Sequence, residues 1–126
     1  MVEQAFETRV AWVDTDAGGR IHFTAAFRWA EAAETELMRR LGLPWERWGR
    51  YPRRKVEAEY LKVLRFDDKV EVRLRVENVG RTSVTYAWTI AKDGEAHIKG
   101  RHTVVHVDAE GKPEPIDDTL RTALDR

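Results

Sequence analysis

Strict alternation of apolar and charged residues between positions 70 and 77 constrains the fold more than any other pattern in the chain. Its apolar members are Val70, Val72, Leu74 and Val76. Because successive side chains of a strand point to opposite faces, this run predicts a strand with one buried and one solvated face. A second run of this kind follows Gly80-Arg81 and contains Val84, Tyr86, Trp88 and Ile90. A tight hairpin turn at residues 92–95 then leads into a last strand that extends through Asp108.

Helical spacing is sustained over only one long stretch, from Thr24 to Leu41. Residues recur every three to four positions along one face, at Phe27, Ala30, Ala33 or Glu34, Leu37 and Leu41. Thr24 is placed to cap the helix, and Gly42 is placed to end it. The many alanines of this stretch indicate that a curved sheet packs close to the helix axis.

Weaker patterns complete the order of elements. A loose alternation predicts a first strand from Ala5 to Val13, and a further strand is expected from Arg54 to Leu64. We expect a loop or short helical turn at residues 43–52 and a short helix at residues 117–124. One long helix and about five antiparallel strands make an α+β domain, so residues 1–126 are predicted to be a single domain.

The sheet of such a domain has open edges, because it buries the helix on one face only. Pairing of edge strands between subunits would cover one edge and would build clefts between the subunits. We therefore expect a homo-oligomer, either a dimer or a tetramer.

The balance of charges excludes a global field that would attract nucleic acid or a membrane. Lys plus Arg and Asp plus Glu both total 22, so a basic site would have to be local. The chain has no cysteine, which excludes disulfides and a thiolate nucleophile. We see no signal peptide and no long apolar stretch, and this predicts a cytoplasmic location.

The segment from Asp14 to Phe23 contains the candidate catalytic groups. Its glycines, Gly18 and Gly19, permit a tight reversal between the first strand and the long helix. The start of the helix presents unsatisfied N–H groups and a partial positive charge toward this turn. A carboxylate that faces an oxyanion site is the pairing that chemistry on a carbonyl substrate needs.

A family resemblance rests on several motifs together. They are the turn Asp14-Thr15-Asp16-Ala17-Gly18-Gly19, the helical stretch from Arg28 to Ala33, Pro52 before the second strand, Phe66-Asp67-Asp68 after it, and Gly80-Arg81-Thr82-Ser83 before the fourth. In these motifs and in strand order the chain resembles the hotdog-fold acyl-CoA thioesterases of the 4-hydroxybenzoyl-CoA thioesterase type, including those encoded in Tol-Pal gene clusters. The resemblance implies a hotdog fold, in which a five-stranded antiparallel sheet wraps around one long central helix.

The resemblance also implies roles for particular residues. Asp16 falls on the catalytic carboxylate, which serves as nucleophile or as general base, and Phe23 falls where a backbone N–H polarises the thioester carbonyl. Arg81 and Ser83 fall in the stretch expected to bind substrate, since its basic part contacts the nucleotide of coenzyme A in relatives. Glu31 matches an acidic position near the active site. In relatives such sites lie at the dimer interface.

Three departures from the family pattern affect the substrate contacts. Phe23 stands where many relatives have His or Tyr, residues 25–26 are Ala-Ala where an Asn-Tyr pair is common, and Val63 replaces a frequent proline. Because the role implied for Phe23 belongs to its backbone, its side chain does not exclude activity.

Each of several other polar residues has a structural interpretation as well as a functional one. His22 adjoins the turn, where it either orients substrate or shuttles a proton, or is a structural residue. Glu31 and Glu34 lie one helical turn apart, and a solvated face is the usual interpretation of such charges. His102 and His106 share a strand face but are about 13 Å apart at the rise of a strand, so no metal site is indicated.

Basic and aromatic residues suggest where a substrate would be held. A local patch for the phosphates of coenzyme A could come from Arg53, Arg54, Lys55, Lys62, Arg65 and Arg81. Trp45 and Trp48 lie in the irregular segment and could line a pocket for an acyl or aryl group.

The resemblance therefore implies an acyl-CoA thioesterase that needs no cofactor. Two alternatives stay open. One is a thioesterase that acts on an acyl carrier protein. The other is a non-catalytic domain that binds acyl-CoA, in which Asp16 is only a turn residue.

Overall fold

The computed structural model describes all 126 residues. Five strands and three helices follow one another along the chain. They are β1 (Glu3–Arg9), α1 (Ala25–Arg40), α2 (Trp45–Trp48), β2 (Arg53–Tyr60), β3 (Lys69–Val79), β4 (Ser83–Lys92), β5 (Glu95–Val105) and α3 (Asp118–Leu124). None of the helices is both long enough and apolar enough to cross a membrane.

All five strands form one antiparallel sheet in the order β1-β3-β4-β5-β2. The predicted alternation is confirmed, because the apolar members of β3 and β4 are buried: Val70, Val72, Leu74, Val76, Val84, Tyr86, Trp88 and Ile90. The turn from β4 to β5 is also confirmed. Asp93 and Gly94 both have positive φ, 51° and 77°, as a two-residue hairpin turn requires.

The long helix lies against β1 and β3. Its buried face is rich in alanine, including Ala25, Ala26, Ala30 and Ala33, and small side chains allow a curved sheet to approach the helix axis closely. The helix ends as predicted. Gly42 has φ 75°, and the N–H groups of Gly42 and Leu43 donate to Arg39 and Met38 in a Schellman motif.

The predicted side-chain cap of α1 is wrong. Thr24 already has helical dihedral angles, φ −74° and ψ −17°, and its hydroxyl makes no capping hydrogen bond. A capping side chain usually starts from extended backbone, from which it can reach the N–H groups of the first turn. The Thr24 hydroxyl instead contacts Nδ1 of His22, at 2.7 Å.

Three predicted strand ends are too long, each for a local reason. β1 ends at Arg9 because residues 12–14 form one turn of 3-10 helix, in which Asp14 accepts from the N–H of Ala11. β2 ends at Tyr60, where Leu61 and Lys62 both donate to the carbonyl of His97 and interrupt the ladder. β5 ends at Val105, and the chain then folds into a small loop closed by pairing of Val107 with Pro113.

Candidate active site

The turn that carries the acidic motif is fixed by its own backbone. Asp16 donates to the carbonyl of Arg20 at 2.7 Å, and Gly19 donates back to Asp16 at 3.2 Å. Thr15 pairs with Ile21 across the turn. Gly19 has φ 81°, a conformation that glycine adopts without steric cost. The turn therefore holds the carboxylate of Asp16 beside the segment that leads into α1.

The two aspartates of the motif have different surroundings. Asp14 is 5% exposed, its Oδ2 accepts from the N–H of Ala11 at 2.8 Å, and its Oδ1 pairs with Arg28 at 2.9 Å. Asp16 is exposed, and only its Oδ1 is engaged, by the N–H of Gly18 at 2.7 Å. Asp14 thus ties the turn to α1, whereas Asp16 keeps Oδ2 free for a substrate or a water molecule.

The backbone N–H of Phe23 is unoccupied at the start of α1. The preceding N–H, of His22, donates to Asp14 at 2.7 Å, and the N–H of Ala25 donates to His22 at 2.9 Å, but that of Phe23 donates to no group of the chain. It precedes the first residue of α1 by two positions, at the end of the helix toward which the positive end of the helix dipole points. The position is suited to a hydrogen bond with a carbonyl oxygen that gains negative charge.

His22 supports this helix start. Its Nδ1 accepts from the N–H of Thr24 at 3.3 Å, which assigns the ring proton of the neutral form to Nε2. Its ring stacks on that of Phe23 with centroids 4.7 Å apart. The ring therefore holds the backbone of residues 22–24 in place, while Nε2 stays available to a ligand.

Tyr60 is a site residue that the sequence analysis missed. Its hydroxyl donates to the carbonyl of Phe23 and so connects the end of β2 to the start of α1. Burial raises the pKa of Tyr60 above its ordinary value, so the hydroxyl remains a donor at neutral pH. The position of Tyr60 near the end of a predicted strand was the only available signal, and it did not reveal the contact.

These groups line one surface cleft, which we call the Asp16 cleft. It has a volume of about 550 Å³ and is lined by Asp16, Arg20, Ile21, His22, Phe23, Tyr60 and residues 61–64. Much of its wall is apolar and open to solvent, and the side chain of Phe23 is 63% exposed. The structure thus brings together three predicted site residues, Asp16, His22 and Phe23.

Arg81 and Ser83 lie elsewhere in the same chain. Asp16 follows β1, which meets the Lys69 end of β3, whereas Arg81 and Ser83 follow the Val79 end. Eleven residues of strand separate the two ends, about 35 Å at the rise of an antiparallel strand. Ser83 is part of the turn from β3 to β4, where its carbonyl accepts from Gly80 at 2.7 Å. The chain by itself does not bring these residues to Asp16.

Glu31 and Glu34 bind the same arginine, and the solvated-face interpretation is wrong for Glu34. Glu34 is 8% exposed, and its two oxygens face the guanidinium of Arg53 at 2.9 and 3.0 Å. Glu31 is exposed and contacts Arg53 at 2.9 Å. Arg53 is therefore engaged within its own subunit.

His102 joins this cluster from β5. Its Nε2 lies 2.8 Å from Glu34, and its Nδ1 accepts from the indole N–H of Trp88 at 3.1 Å. Because an indole N–H can only donate, His102 is neutral with its proton on Nε2, which donates to Glu34. Burial alone would raise the pKa of Glu34, but the hydrogen bond from His102 and the charge of Arg53 lower it below 4.5.

The other basic residues predicted to bind phosphate lie at the two opposite ends of β2. Arg53, Arg54 and Lys55 are at its start, and Lys62 and Arg65 follow its end, where Lys62 pairs with Glu95. The predicted basic residues therefore do not form one patch within the chain.

Of the two tryptophans predicted to line an acyl pocket, Trp48 lines a cavity behind α1, whereas Trp45 is 71% exposed and does not line it.

Comparison with known proteins gives a consistent result. The family model described as the thioesterase-like superfamily matches residues 10–124. A protein of Aquifex aeolicus (strain VF5), whose name assigns it provisionally to the esterases, is 31% identical over 106 residues, which cover 79% of this chain and 83% of the relative.

Solved structures agree in fold. One from Bacillus stearothermophilus, described as a predicted thioesterase, is 28% identical with a TM-score of 0.88, over 98% of this chain and 95% of that one. A 1,4-dihydroxy-2-naphthoyl-CoA thioesterase from Synechocystis is 16% identical with a TM-score of 0.88, over 98% and 96% of the two chains. The second likeness concerns the fold alone. The hotdog fold implied by the sequence motifs is confirmed.

Proposed function

The chain belongs to the thioesterase-like superfamily and is a thioester hydrolase, and from this premise we propose that it hydrolyses an acyl thioester of coenzyme A. We place it with the 4-hydroxybenzoyl-CoA thioesterase type, including the Tol-Pal-cluster enzymes, because its turn has the Asp-x-Asp-x-x-Gly form. The Synechocystis protein, which shares the fold, is named for action on a CoA thioester. We place the enzyme in the cytoplasm, where coenzyme A is present.

The proposal rests mainly on one observation: of four polar groups near the turn, two are hydrogen-bonded within the fold and two are not. Asp14 and the N–H of His22 are used by the fold, while Oδ2 of Asp16 and the N–H of Phe23 are not. A free carboxylate and a free helix-start N–H on one cleft are the groups that thioester hydrolysis requires.

The reaction follows from these positions. Asp16 either takes a proton from water, whose oxygen attacks the carbonyl carbon, or attacks that carbon directly to give an anhydride that water then cleaves. The N–H of Phe23 holds the oxygen on which negative charge develops. In the first route the carbon–sulfur bond breaks when the tetrahedral intermediate collapses, and in the second it breaks as the anhydride forms. In both, the thiolate of coenzyme A leaves and takes up a proton. Nε2 of His22 is placed to contact the substrate beside this carbonyl.

We further propose that the active unit is a homodimer paired along β2. This strand is one edge of the sheet, and nearly all its side chains are exposed. Nearby apolar side chains that a partner would cover include Val56, Tyr60, Leu61 and Val63, each more than 40% exposed. Unpaired strand edges flanked by apolar side chains favour association.

Two-fold pairing along β2 would also complete the substrate site. In an antiparallel pair, the Tyr60 end of one subunit lies next to the Arg53 end of its partner. The Arg53 end is the end of the sheet that carries Ser83 and the Arg81 turn. A partner would thus add Arg81, Arg54 and Lys55 to the end that already has Lys62 and Arg65, and would form a basic patch for the phosphates of coenzyme A. Glu31 then supports the site through Arg53.

Matched substrates test the proposal. Turnover of one acyl group is compared on coenzyme A and on pantetheine, with release of the free thiol measured. We expect kcat/KM to be higher for the CoA thioester, and the preference to weaken as salt rises, because phosphate contacts are screened. Equal rates on both would favour an acyl carrier protein as the natural substrate. Saturable acyl-CoA binding without turnover would favour the binding-domain alternative.

A further inference from the structure

A second cavity lies behind the C-terminal half of α1, away from the Asp16 cleft. It has a volume of about 430 Å³ and is enclosed by α1, the α2 segment, β4 and the start of α3. Its apolar wall is formed by Met38, Leu43, Trp48 and Leu120. Cavities of this size and composition are typical of small-molecule sites. We call it the Tyr86 cavity.

Two phenol hydroxyls in this cavity have no partner in the chain. Tyr86 is 2% exposed, and it interacts with Glu34, Tyr51 and Arg53 only through space. Because no fully buried side-chain oxygen or nitrogen lacks a partner, the Tyr86 hydroxyl must reach open space, and the cavity is the space that Tyr86 lines. Tyr51 also lines the cavity and makes no hydrogen bond with its hydroxyl.

Both hydroxyls are donors at any physiological pH. Burial raises the pKa of Tyr86 well above 10, and it raises the pKa of Tyr51 to about 12. Both donors face the open space of the cavity, so the cavity is suited to a ligand that brings an oxygen to them in place of water.

The charged residues that line the Tyr86 cavity indicate which class of ligand it can accept. Three carboxylates, from Glu31, Glu34 and Asp117, and two guanidinium groups, from Arg47 and Arg53, line the cavity, so its wall carries one net negative charge. The guanidinium of Arg53 is already held by Glu31 and Glu34. An anionic ligand group would therefore be repelled, whereas a neutral hydroxyl would be accepted.

A smaller groove borders this cavity on the side toward the start of α1. It has a volume of about 150 Å³, and it shares Glu31 and Arg53 with the Tyr86 cavity. Phe27 and Val56 also line it, and each is four residues along the chain from a residue of the Asp16 cleft, Phe23 and Tyr60 respectively. From residue 23 to residue 34 the helix rises about 16 Å. An extended chain covers this distance in about thirteen bonds, since three backbone bonds span 3.3–3.6 Å.

We propose that the Tyr86 cavity receives the far end of the acyl group, and that the preferred acyl group is elongated, apolar along its length and ends in a neutral hydroxyl. This rests on the proposed function, because the thioester carbonyl is placed at Phe23. The chain of the acyl group lies along Phe27 and Val56 and crosses the aliphatic part of Arg53. Its terminal oxygen accepts from Tyr86 and Tyr51.

The test is a series of acyl-CoA substrates from four to sixteen carbons, each ending in a methyl, a hydroxyl or a carboxylate group. We expect kcat/KM to be highest near twelve carbons with the hydroxyl, lower with the methyl and lowest with the carboxylate. Tyr86→Phe should remove about tenfold of the hydroxyl preference, which is the usual effect of one hydrogen bond. It should leave butyryl-CoA hydrolysis unchanged.

Because Tyr86 is buried, the result with Tyr86→Phe is checked with a second pair of variants on α1, one that fills the cavity and one that does not. Thr35 lines the cavity and is only partly buried, whereas Glu36, its neighbour on α1, does not line it. Thr35→Phe should raise KM for twelve-carbon substrates at least tenfold and leave butyryl-CoA unaffected. Glu36→Phe should change neither.

The outcomes separate this inference from the proposed function. Hydrolysis of butyryl-CoA with no dependence on chain length or terminal group overturns the inference alone. If no acyl-CoA is hydrolysed, the proposed function fails, and titration calorimetry with 12-hydroxydodecanoate decides on the cavity. Saturable binding weakened by Thr35→Phe would support the acyl-end site, and absence of binding would overturn it.

Discussion

At the scale of single residues, the site depends on which polar groups the fold leaves free. Asp14 and Asp16 are two positions apart in one turn, yet only Asp14 has both oxygens engaged. The N–H groups of His22 and Phe23 differ in the same way. A polar group that costs nothing to leave unpaired in solvent, next to a helix start, is available for catalysis. The residues that hold the fold and the residues proposed to act on substrate are therefore distinct within one short segment.

Glu34 gives a prediction at this scale. Glu34→Gln removes the charge that pairs with Arg53 and that accepts the hydrogen bond of His102, and we expect a loss of about 2 kcal/mol in the free energy of unfolding at neutral pH. The pKa of Glu34 is lowered in the folded state. Its stabilisation is therefore present above the unfolded value of about 4.5 and is lost as pH falls through the folded pKa. Denaturant unfolding measured from about pH 7 to about pH 3 should show a weaker acid dependence in the variant.

Glu36→Gln is the matched control, since Glu36 is on the same helix but pairs at the surface with Arg39. Exposed pairs contribute about 0–1 kcal/mol. Equal pH dependence of the wild type and Glu34→Gln would show that the buried cluster does not titrate as described.

Sequence reasoning reached some of these residues and not others. Asp16, His22 and Phe23 are close along the chain, so a local motif was sufficient to predict that they lie together. Tyr60 and the cluster of Glu34, Arg53 and His102 are joined across α1, β2 and β5. Period and spacing within one element give no information on such contacts. Only the register between elements brings them together.

At the scale of secondary structure, the strongest patterns predicted the elements well. The strictly alternating strands, the hairpin with Asp93-Gly94 and the helix ended by Gly42 all depend on local periodicity or on a required backbone conformation. Strand ends were less predictable. β1 is terminated by the carboxylate of Asp14, and β2 by a carbonyl of His97 from another strand. Apolar residues continue beyond the ends of both strands, so the alternation of apolar and polar residues did not predict where either strand ends.

The same elements position the site. The start of α1 meets the end of β2 through Tyr60, while further along β2 Arg53 ties the middle of α1 to the sheet. Between these two contacts runs the groove lined by Phe27 and Val56. A helix held at two points against an edge strand thus places this groove between the proposed oxyanion site and the Tyr86 cavity.

At the scale of the whole molecule, one subunit lacks part of the proposed site. Arg81 is about 35 Å along the sheet from the Asp16 end, and β2 remains an unpaired edge. Two-fold pairing along β2 accounts for both facts, because it covers the edge and brings the Arg81 end of a partner to the Asp16 end.

Subunit complementation tests this arrangement. Asp16→Asn and Arg81→Ala are prepared separately, and then mixed by reversible unfolding. A mixed dimer has one intact site, with Asp16 from one subunit and Arg81 from the other. Random mixing should therefore restore about a quarter of wild-type kcat/KM, since about half the dimers are mixed and each has one working site. Activity of the mixture equal to the mean of the two variants would place Asp16 and Arg81 in different sites.

The central claim is that Asp16 acts on a thioester carbonyl held at Phe23. The most direct measurement is hydrolysis of aromatic and aliphatic acyl-CoA thioesters by the wild type, Asp16→Asn and Asp93→Asn. Asp93 is an exposed carboxylate in the hairpin turn, with φ 51°, and asparagine tolerates that conformation. We predict that Asp16→Asn lowers kcat by about 10²–10⁴ while folding and substrate binding persist, and that Asp93→Asn has wild-type activity. Substantial turnover by Asp16→Asn would contradict the assignment.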